Sequence, residues 1–303
     1  MTDETKGVLA MIGACIVWGL SGLYYKMLDD VPAIEILCHR TLWGFIFFVG
    51  ILRLQGRLRQ LPRAIATPRS FAIIAFAALM ISLNWFVFIT SIQIGHATDA
   101  SLGYYIFPLT AVLCGAIFYR EKLSRAQLVA VALATAAVVV LSVGLQVTPW
   151  VALVLAVSFA LYGTVKKGLS TGPVLSVTAE VLLLSPFAFG LLVVLHARGE
   201  GHFGQDLATS LMLAFAGILT AVPLILFSFA ARRVSLATVG LVQYLNPTLQ
   251  FLVATLIFRE AFSIWHAIAF AMIWTALAIY TASSLRRGRA ARKAARAAAG
   301  TVV

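Results

Sequence analysis

Acidic residues are scarce in this chain. Eleven Asp and Glu stand against twenty-three Lys and Arg, for a formal net charge of +12. Charged residues of both signs make up only 11% of the 303 positions, too few to coat a water-soluble surface. Cysteine is also rare: Cys15, Cys38 and Cys114 each fall in a different apolar run. With no CxxC and no pair in one loop, neither a disulfide framework nor a zinc site is expected, and the three read as small packing residues. HExxH, GxSxG, a P-loop and a strand-borne GxGxxG are all missing, so no catalytic residues, cofactor or metal site are expected.

What is abundant is hydrocarbon. The chain is 61% hydrophobic with a mean hydropathy of +0.97, so its solvent is a lipid bilayer. A spanning helix needs about 20 apolar residues. Runs of that size cover roughly 7–28, 33–54, 71–94, 98–118, 124–143, 149–167, 174–196, 208–231, 236–257 and 263–284. No small-residue cleavage site clearly ends the first run, so it reads as a retained span rather than a signal peptide. Nothing resembles the ten-residue alternating strands of a membrane β-barrel.

The basic excess is one-sided. With the N-terminus in the cytoplasm, nineteen Lys and Arg fall at inner ends and three, Lys26, Arg198 and Arg259, at outer ends. The positive-inside rule therefore puts both termini in the cytoplasm. The six cations from Arg286 to Arg296 form a basic tail with no aromatic interleaving. It reads as a topology and lipid-contact signal, not a nucleic-acid interface.

The sequence is also written twice. At a shift of 139, Tyr105, Pro108, Arg120, Glu121 and Ser124 land on Tyr244, Pro247, Arg259, Glu260 and Ser263. Five runs per copy is an odd number, so the second copy starts on the opposite side of the membrane. The expected fold is an all-α membrane protein with ten transmembrane helices in two inverted five-helix repeats. Residues 1–145 form the first, 146–285 the second and 286–303 the tail. The joint is Gln146-Val147-Thr148-Pro149. The alanine-rich last run of each copy reads as scaffold, because small residues let helices approach closely in lipid. Glu121 and Glu260, each directly after an arginine, read as end caps in local ion pairs.

Ionisable groups within spans are functional candidates because a charge at mid-bilayer costs about 2.5 kcal/mol or more. His39 and Arg40 lie two turns into the second run. Glu180 lies two turns into the seventh, its repeat counterpart. A cation facing an anion across a shared cavity would hold the two ends of a zwitterion, or form a gate by pairing directly. Asn84, Gln243 and Asn246 need partners in hydrocarbon, from neighbouring helices or a ligand. Trp18, Trp85, Tyr104, Tyr105, Tyr162 and Tyr244 lie within spans, away from the interfacial belts. They are expected to wall a weakly polar cavity suited to an amphipathic solute. Pro108 and Pro247, at matched midpoints, are expected hinges.

Glu35-Ile36-Leu37-Cys38-His39-Arg40, Leu83-Asn84-Trp85, Ser101-Leu102-Gly103-Tyr104-Tyr105 with Pro108, and Gln243-Tyr244 with Pro247-Thr248-Leu249-Gln250-Phe251 carry a resemblance. In order and spacing they resemble the RarD permeases of the EamA branch of the drug/metabolite transporter superfamily, over roughly residues 6 to 285. The resemblance implies ten helices in inverted repeats, a cavity lined by the first four helices of each half, and secondary transport of small metabolites, often export. The expected partners are a small-molecule substrate, the bilayer, and protons or a counter-substrate. Substrate, coupling and oligomeric state stay open. A channel or passive facilitator is the alternative, though no ring of one residue type lines a pore. A membrane enzyme acting on lipid is a third reading, and it lacks convergent acids.

Overall fold

Proline and hydroxyl residues set where the helices begin. In a computed structural model of the chain, Thr67 Oγ1 accepts the Ser70 N–H at 3.1 Å, with Pro68 next in line. Ser124 and Gln127 form a capping box, and the Asp206 carboxylate accepts the Thr209 N–H at 2.7 Å. That bond holds the exposed Asp206 carboxyl below its ordinary range. The structure describes residues 2–120, 123–146, 149–167, 169, 172–231, 233–234 and 236–300. Side chains at 167, 236, 237, 240, 284, 285 and 287–300 fall outside that description. The expected Glu121 cap, Val147 and Thr148 of the joint, the cationic side chains of Lys122, Lys167 and Arg232, and those of the tail beyond Arg286 are therefore outside the described residues.

The long helices are α1 (Asp3–Lys26), α2 (Ala33–Leu54), α3 (Pro68–Gln93), α4 (Ala97–Tyr119), α5 (Arg125–Leu145), α6 (Trp150–Lys167), α7 (Pro173–Ala197) and α8 (Leu207–Ala231). The ninth run, α9, is broken: Leu236–Gln243, then Leu245–Leu252, then a π turn at Val253–Ile257. The last helix, α10 (Ile264–Gly300), continues well past the expected end of its span. Among the described residues, eight helices are long and apolar enough to cross a membrane. Trp150–Lys166 and Leu241–Ile257 are shorter apolar helices. Helices satisfy their own backbone groups, which is what a span in lipid requires.

The first five long helices and the last five interlock rather than sit side by side. α1 and α2 pack on α8, α3 and α4 on α6, α7 on α2 and α3, α9 on α1 and α4, and α5 on α10. Close approach depends on glycine: a Cβ at Gly103 of α4 would stand 2.7 Å from the Ala152 carbonyl oxygen of α6. Ala130, Ala134 and Ala137 of α5 and Ala269 and Ala276 of α10 are buried in one cluster.

The repeat is visible in backbone conformation. Arg120 and Arg259 both adopt the left-handed region, at φ 54° and 55°. A non-glycine residue there is uncommon, and the two stand at matched positions after α4 and α9. Glu260, however, is not part of a local ion pair with Arg259. Its oxygens accept the N–H groups of Ala97 and Thr98 at 2.6 and 2.7 Å, capping α4 of the other half. The first turn of α4 offers unsatisfied donors and a positive dipole end, and the carboxylate answers both.

Candidate functional site

The connections define two ends of the bundle. The near end holds 55–67, 120 and 123–124; the far end holds 27–32, 94–96, 198–206 and 258–263.

Arg40 lies two turns into α2 from the far end and is only 6% exposed. Its Nη1 donates to the Tyr25 hydroxyl of α1. Its Cζ stands 4.0 Å from the Trp85 ring centre of α3 and 5.9 Å from that of Tyr25. Phe88 fills the gap behind, edge-on to Tyr25 at 5.9 Å and to Tyr104 of α4 at 5.8 Å. A desolvated cation–π contact contributes about 2 kcal/mol and a hydrogen bond to a charged group about 1.5–3 kcal/mol. Together, at about 3.5–5 kcal/mol, they offset the cost of about 2.5–3.5 kcal/mol for placing the charge within a span. Nε has no hydrogen-bond partner. None of the described carboxylates forms an ion pair with Arg40.

Glu180 of α7 is 1% exposed and is fully engaged. Lys166 Nζ of α6 lies 2.8 Å from Oε1, and Ser176 Oγ donates to the same oxygen at 2.9 Å. The Tyr162 hydroxyl donates to Oε2 at 3.1 Å and itself accepts from Lys166 Nζ at 2.8 Å. The expected Arg40–Glu180 pairing across one cavity is therefore not present. Lys166, counted from sequence as an interfacial charge, folds back along α6 and neutralises the carboxylate. In a low dielectric the nearer cation wins. A chain of rings lies between the two centres: Phe159 of α6 meets Tyr104 edge-on and stacks on Tyr162, each at 6.0 Å.

The other expected residues divide. Asn84 is 1% exposed and satisfied, its Nδ2 donating to Leu155 O and Ser158 Oγ, each at 3.0 Å. Its Oδ1 accepts from the Tyr104 hydroxyl at 2.9 Å. It fastens α3 to α6 and α4. Trp18 packs against Phe227 of α8 at 6.1 Å. Tyr105 and Tyr244 do not wall a cavity around Arg40. Both pack into the α5–α10 cluster, where Tyr105 bonds Thr248 Oγ1 at 2.6 Å and lies edge-on to Phe270 and Trp274. Gln243 ends the first piece of α9 and is partly buried; Asn246 Oδ1 accepts from Gln250 Nε2 at 3.1 Å. The two prolines are not equivalent: α4 runs unbroken through Pro108, whereas Pro247 sits just past the break at Tyr244 and before the π turn. Such π turns recur where helices carry function.

Sequence reasoning passed over one buried acid. Glu35 of α2 is 0% exposed, and the loop 198–206 closes over it. Its two oxygens accept the His202 backbone N–H at 2.7 Å and His202 Nδ1–H at 2.8 Å. One turn on, His39 Nε2 lies 3.9 Å from Glu35, and its ring stacks on Phe203 of the same loop at 4.8 Å. The available signal was the i, i+4 spacing of Glu35 and His39.

The profile of the EamA-like transporter family matches residues 5–143 and again 148–282. The chain belongs to this family. It is 41% identical over 306 residues to Protein RarD of Streptomyces exfoliatus, covering 99% of this chain and 96% of that one. Protein RarD of Escherichia coli is 37% identical over 95% of this chain and 98% of its own length. An uncharacterized transporter of Vibrio cholerae is 40% identical over 96% and 97%. A crystal structure 19% identical in sequence superposes with a TM-score of 0.61, covering 91% of this chain and 97% of the other, and shows the shared fold.

This is thus an integral membrane transporter of the RarD type, not an enzyme. The transporter has a cleft of about 150 Å³ at its near end, lined by Gln55, Arg57, Gly172, Pro173, Val174 and Ser228. At the far end the corresponding space is filled by an apolar cluster that includes Tyr25, Leu28, Val31, Ile36 and Leu213. Among the described residues no group of three His, Cys, Asp or Glu side chains suits a metal ion.

Proposed function

We propose that the protein is a secondary active transporter that moves a small polar or amphipathic metabolite, amino-acid-like or drug-like, across the bacterial inner membrane. It works by alternating access and in the export direction. Ten helices in two inverted five-helix repeats, with both termini cytoplasmic, carry it. The observation that supports this most is that each half holds a buried charged residue two turns inside a span, Arg40 in one and Glu180 in the other, where ions are costly. Trp18, Trp85, Tyr104 and Tyr162 shape the route between them, and Gln243 and Asn246 line its second-half side. Arg40 and Glu180 act as coupling or gating groups, with protons or a counter-substrate as the exchanged partner. Pro247 at the broken α9 is the principal hinge and Pro108 the lesser one. The near-end cleft and filled far end support an inward-facing state. The helix pairings support the repeat as well: exchanging the first five helices with the last five maps the main packed pairs named above onto one another.

The test is release from liposomes. Vesicles carrying the purified protein are loaded with a small-molecule extract of bacterial cytoplasm, and released solutes are read by mass spectrometry. A carrier releases particular solutes saturably and only in the presence of protein. Ohmic current instead favours the channel alternative, and release equal to that of empty vesicles defeats the proposal.

A further inference from the structure

Charge accounting inside the bundle narrows the substrate. This step rests on the transport reading above and names the class of solute. Glu180 is already neutralised by Lys166 and takes two further donors from Ser176 and Tyr162. Glu35 already accepts two hydrogen bonds from His202. Neither carboxylate is free to take an ammonium group. Asp99 Oδ1 also lacks a hydrogen-bond partner, but His96 Nδ1 lies 2.8 Å from its other oxygen and His266 Nε2 3.9 Å from Oδ1. The grip on both ends of a zwitterion expected of Arg40 and Glu180 has lost its anionic half. Arg40 is the opposite case, a cation 6% exposed with its Nε unpartnered.

The geometry of that cation is specific. Trp85 covers one face of the guanidinium at 4.0 Å, and Tyr25 takes Nη1. The remaining in-plane edge is Nε with Nη2, the edge that a planar carboxylate grips with two parallel hydrogen bonds. There is also room. One turn along the same face of α2 is Gly44, which is buried, yet a Cβ built there would meet nothing within 4 Å. A phosphate dianion would leave a net negative charge in the bilayer beside a single cation, whereas a monocarboxylate is balanced one for one. The aromatic walls complete the match with an apolar body behind the carboxylate.

We infer that the transported solute is an organic monocarboxylate with an apolar or aromatic body, bound through Arg40. Zwitterions and organic cations are then poor substrates.

The probe is sodium benzoate, with phenylacetate and octanoate as longer members and benzamide and benzylamine as neutral and cationic controls at matched ionic strength. Thermal unfolding of the purified protein in detergent reads binding, since a ligand of the native state raises the midpoint by mass action. At least one carboxylate should raise the midpoint of the natural protein, while benzamide and benzylamine leave it unmoved. Arg40→Gln should need more than about tenfold more carboxylate for the same shift. Gly44→Leu keeps Arg40 but fills the space beside it, and should lose the shift too, which covers the case in which Arg40→Gln fails to fold. Equal shifts from benzamide, unchanged shifts in Gly44→Leu, or no shift from any of the three carboxylates overturns the inference. Saturable release from liposomes without carboxylate binding sinks this inference and leaves the transport reading standing. Arg40-dependent binding without release does the reverse.

Discussion

At the scale of single residues, burial alone does not separate a site from a fastener. Asn84 and Arg40 are both buried polar groups on adjacent helices, but Asn84 has every partner it needs and Arg40 does not. Asn84→Ala should therefore lower stability by about 1–2 kcal/mol, from the Tyr104 hydroxyl left unpaired. Carboxylate binding at Arg40 should survive. Thermal unfolding with and without benzoate checks both. The Glu180 centre makes a sharper case. Lys166→Met strands a carboxylate that is 1% exposed, a loss of about 3–5 kcal/mol in comparable buried pairs. Glu180→Gln should cost less, because the freed Lys166 stem can extend back to the near-end interface. The double variant should recover much of what Lys166→Met alone loses, measured by the denaturant midpoint of each protein.

What could be read from sequence follows from what each residue depends on. Arg40 and Glu180 were legible because a charge inside an apolar run stands out with no structure at hand. Their partners were not. Lys166 sits one turn past Tyr162 at a helix end, where a cation ordinarily reaches the interface. Only the approach of Glu180 on α7 turns it inward. Tyr105 and Tyr244 misled because an aromatic in a span looks the same whether it walls a cavity or packs on α10. The repeat was legible in Arg120 and Arg259, which share both position and left-handed backbone. The interlocking of the halves was not, since it arises from contacts between residues far apart in sequence.

At the scale of elements, the loop 198–206 behaves as a strap across the start of α2. Two hydrogen bonds from His202 to Glu35 and the stack of Phe203 on His39 hold it down. Glu35→Gln turns one of the two acceptor oxygens into a donor facing a donor. The loss of about 1.5 kcal/mol should speed amide exchange in residues 198–206 about tenfold or more, with α5 and α10 unaffected. Hydrogen-exchange mass spectrometry reads this directly. Unchanged exchange in that loop would mean that Phe203 packing, not the carboxylate, carries the strap. The same element view explains the asymmetry of α4 and α9. Their prolines align, but only α9 is interrupted before the proline and relaxed by a π turn after it.

At the scale of the whole molecule, the account stands on orientation. In the proposed topology an odd number of crossings in each half turns one sequence repeat into two opposed bundles, with α5 against α10 and with Arg40 toward one face and Glu180 toward the other. Cysteine accessibility tests that most directly. Cys15, Cys38 and Cys114 are first replaced by alanine, and single cysteines are placed at Asp29, Gln60, Glu200 and Ala290. In intact cells a membrane-impermeant thiol reagent should label positions 29 and 200, and reach 60 and 290 only after permeabilisation. Labelling that puts 60 and 290 on opposite faces, or 29 and 200 on opposite faces, would contradict the inverted repeat and with it the transport cycle proposed for this chain.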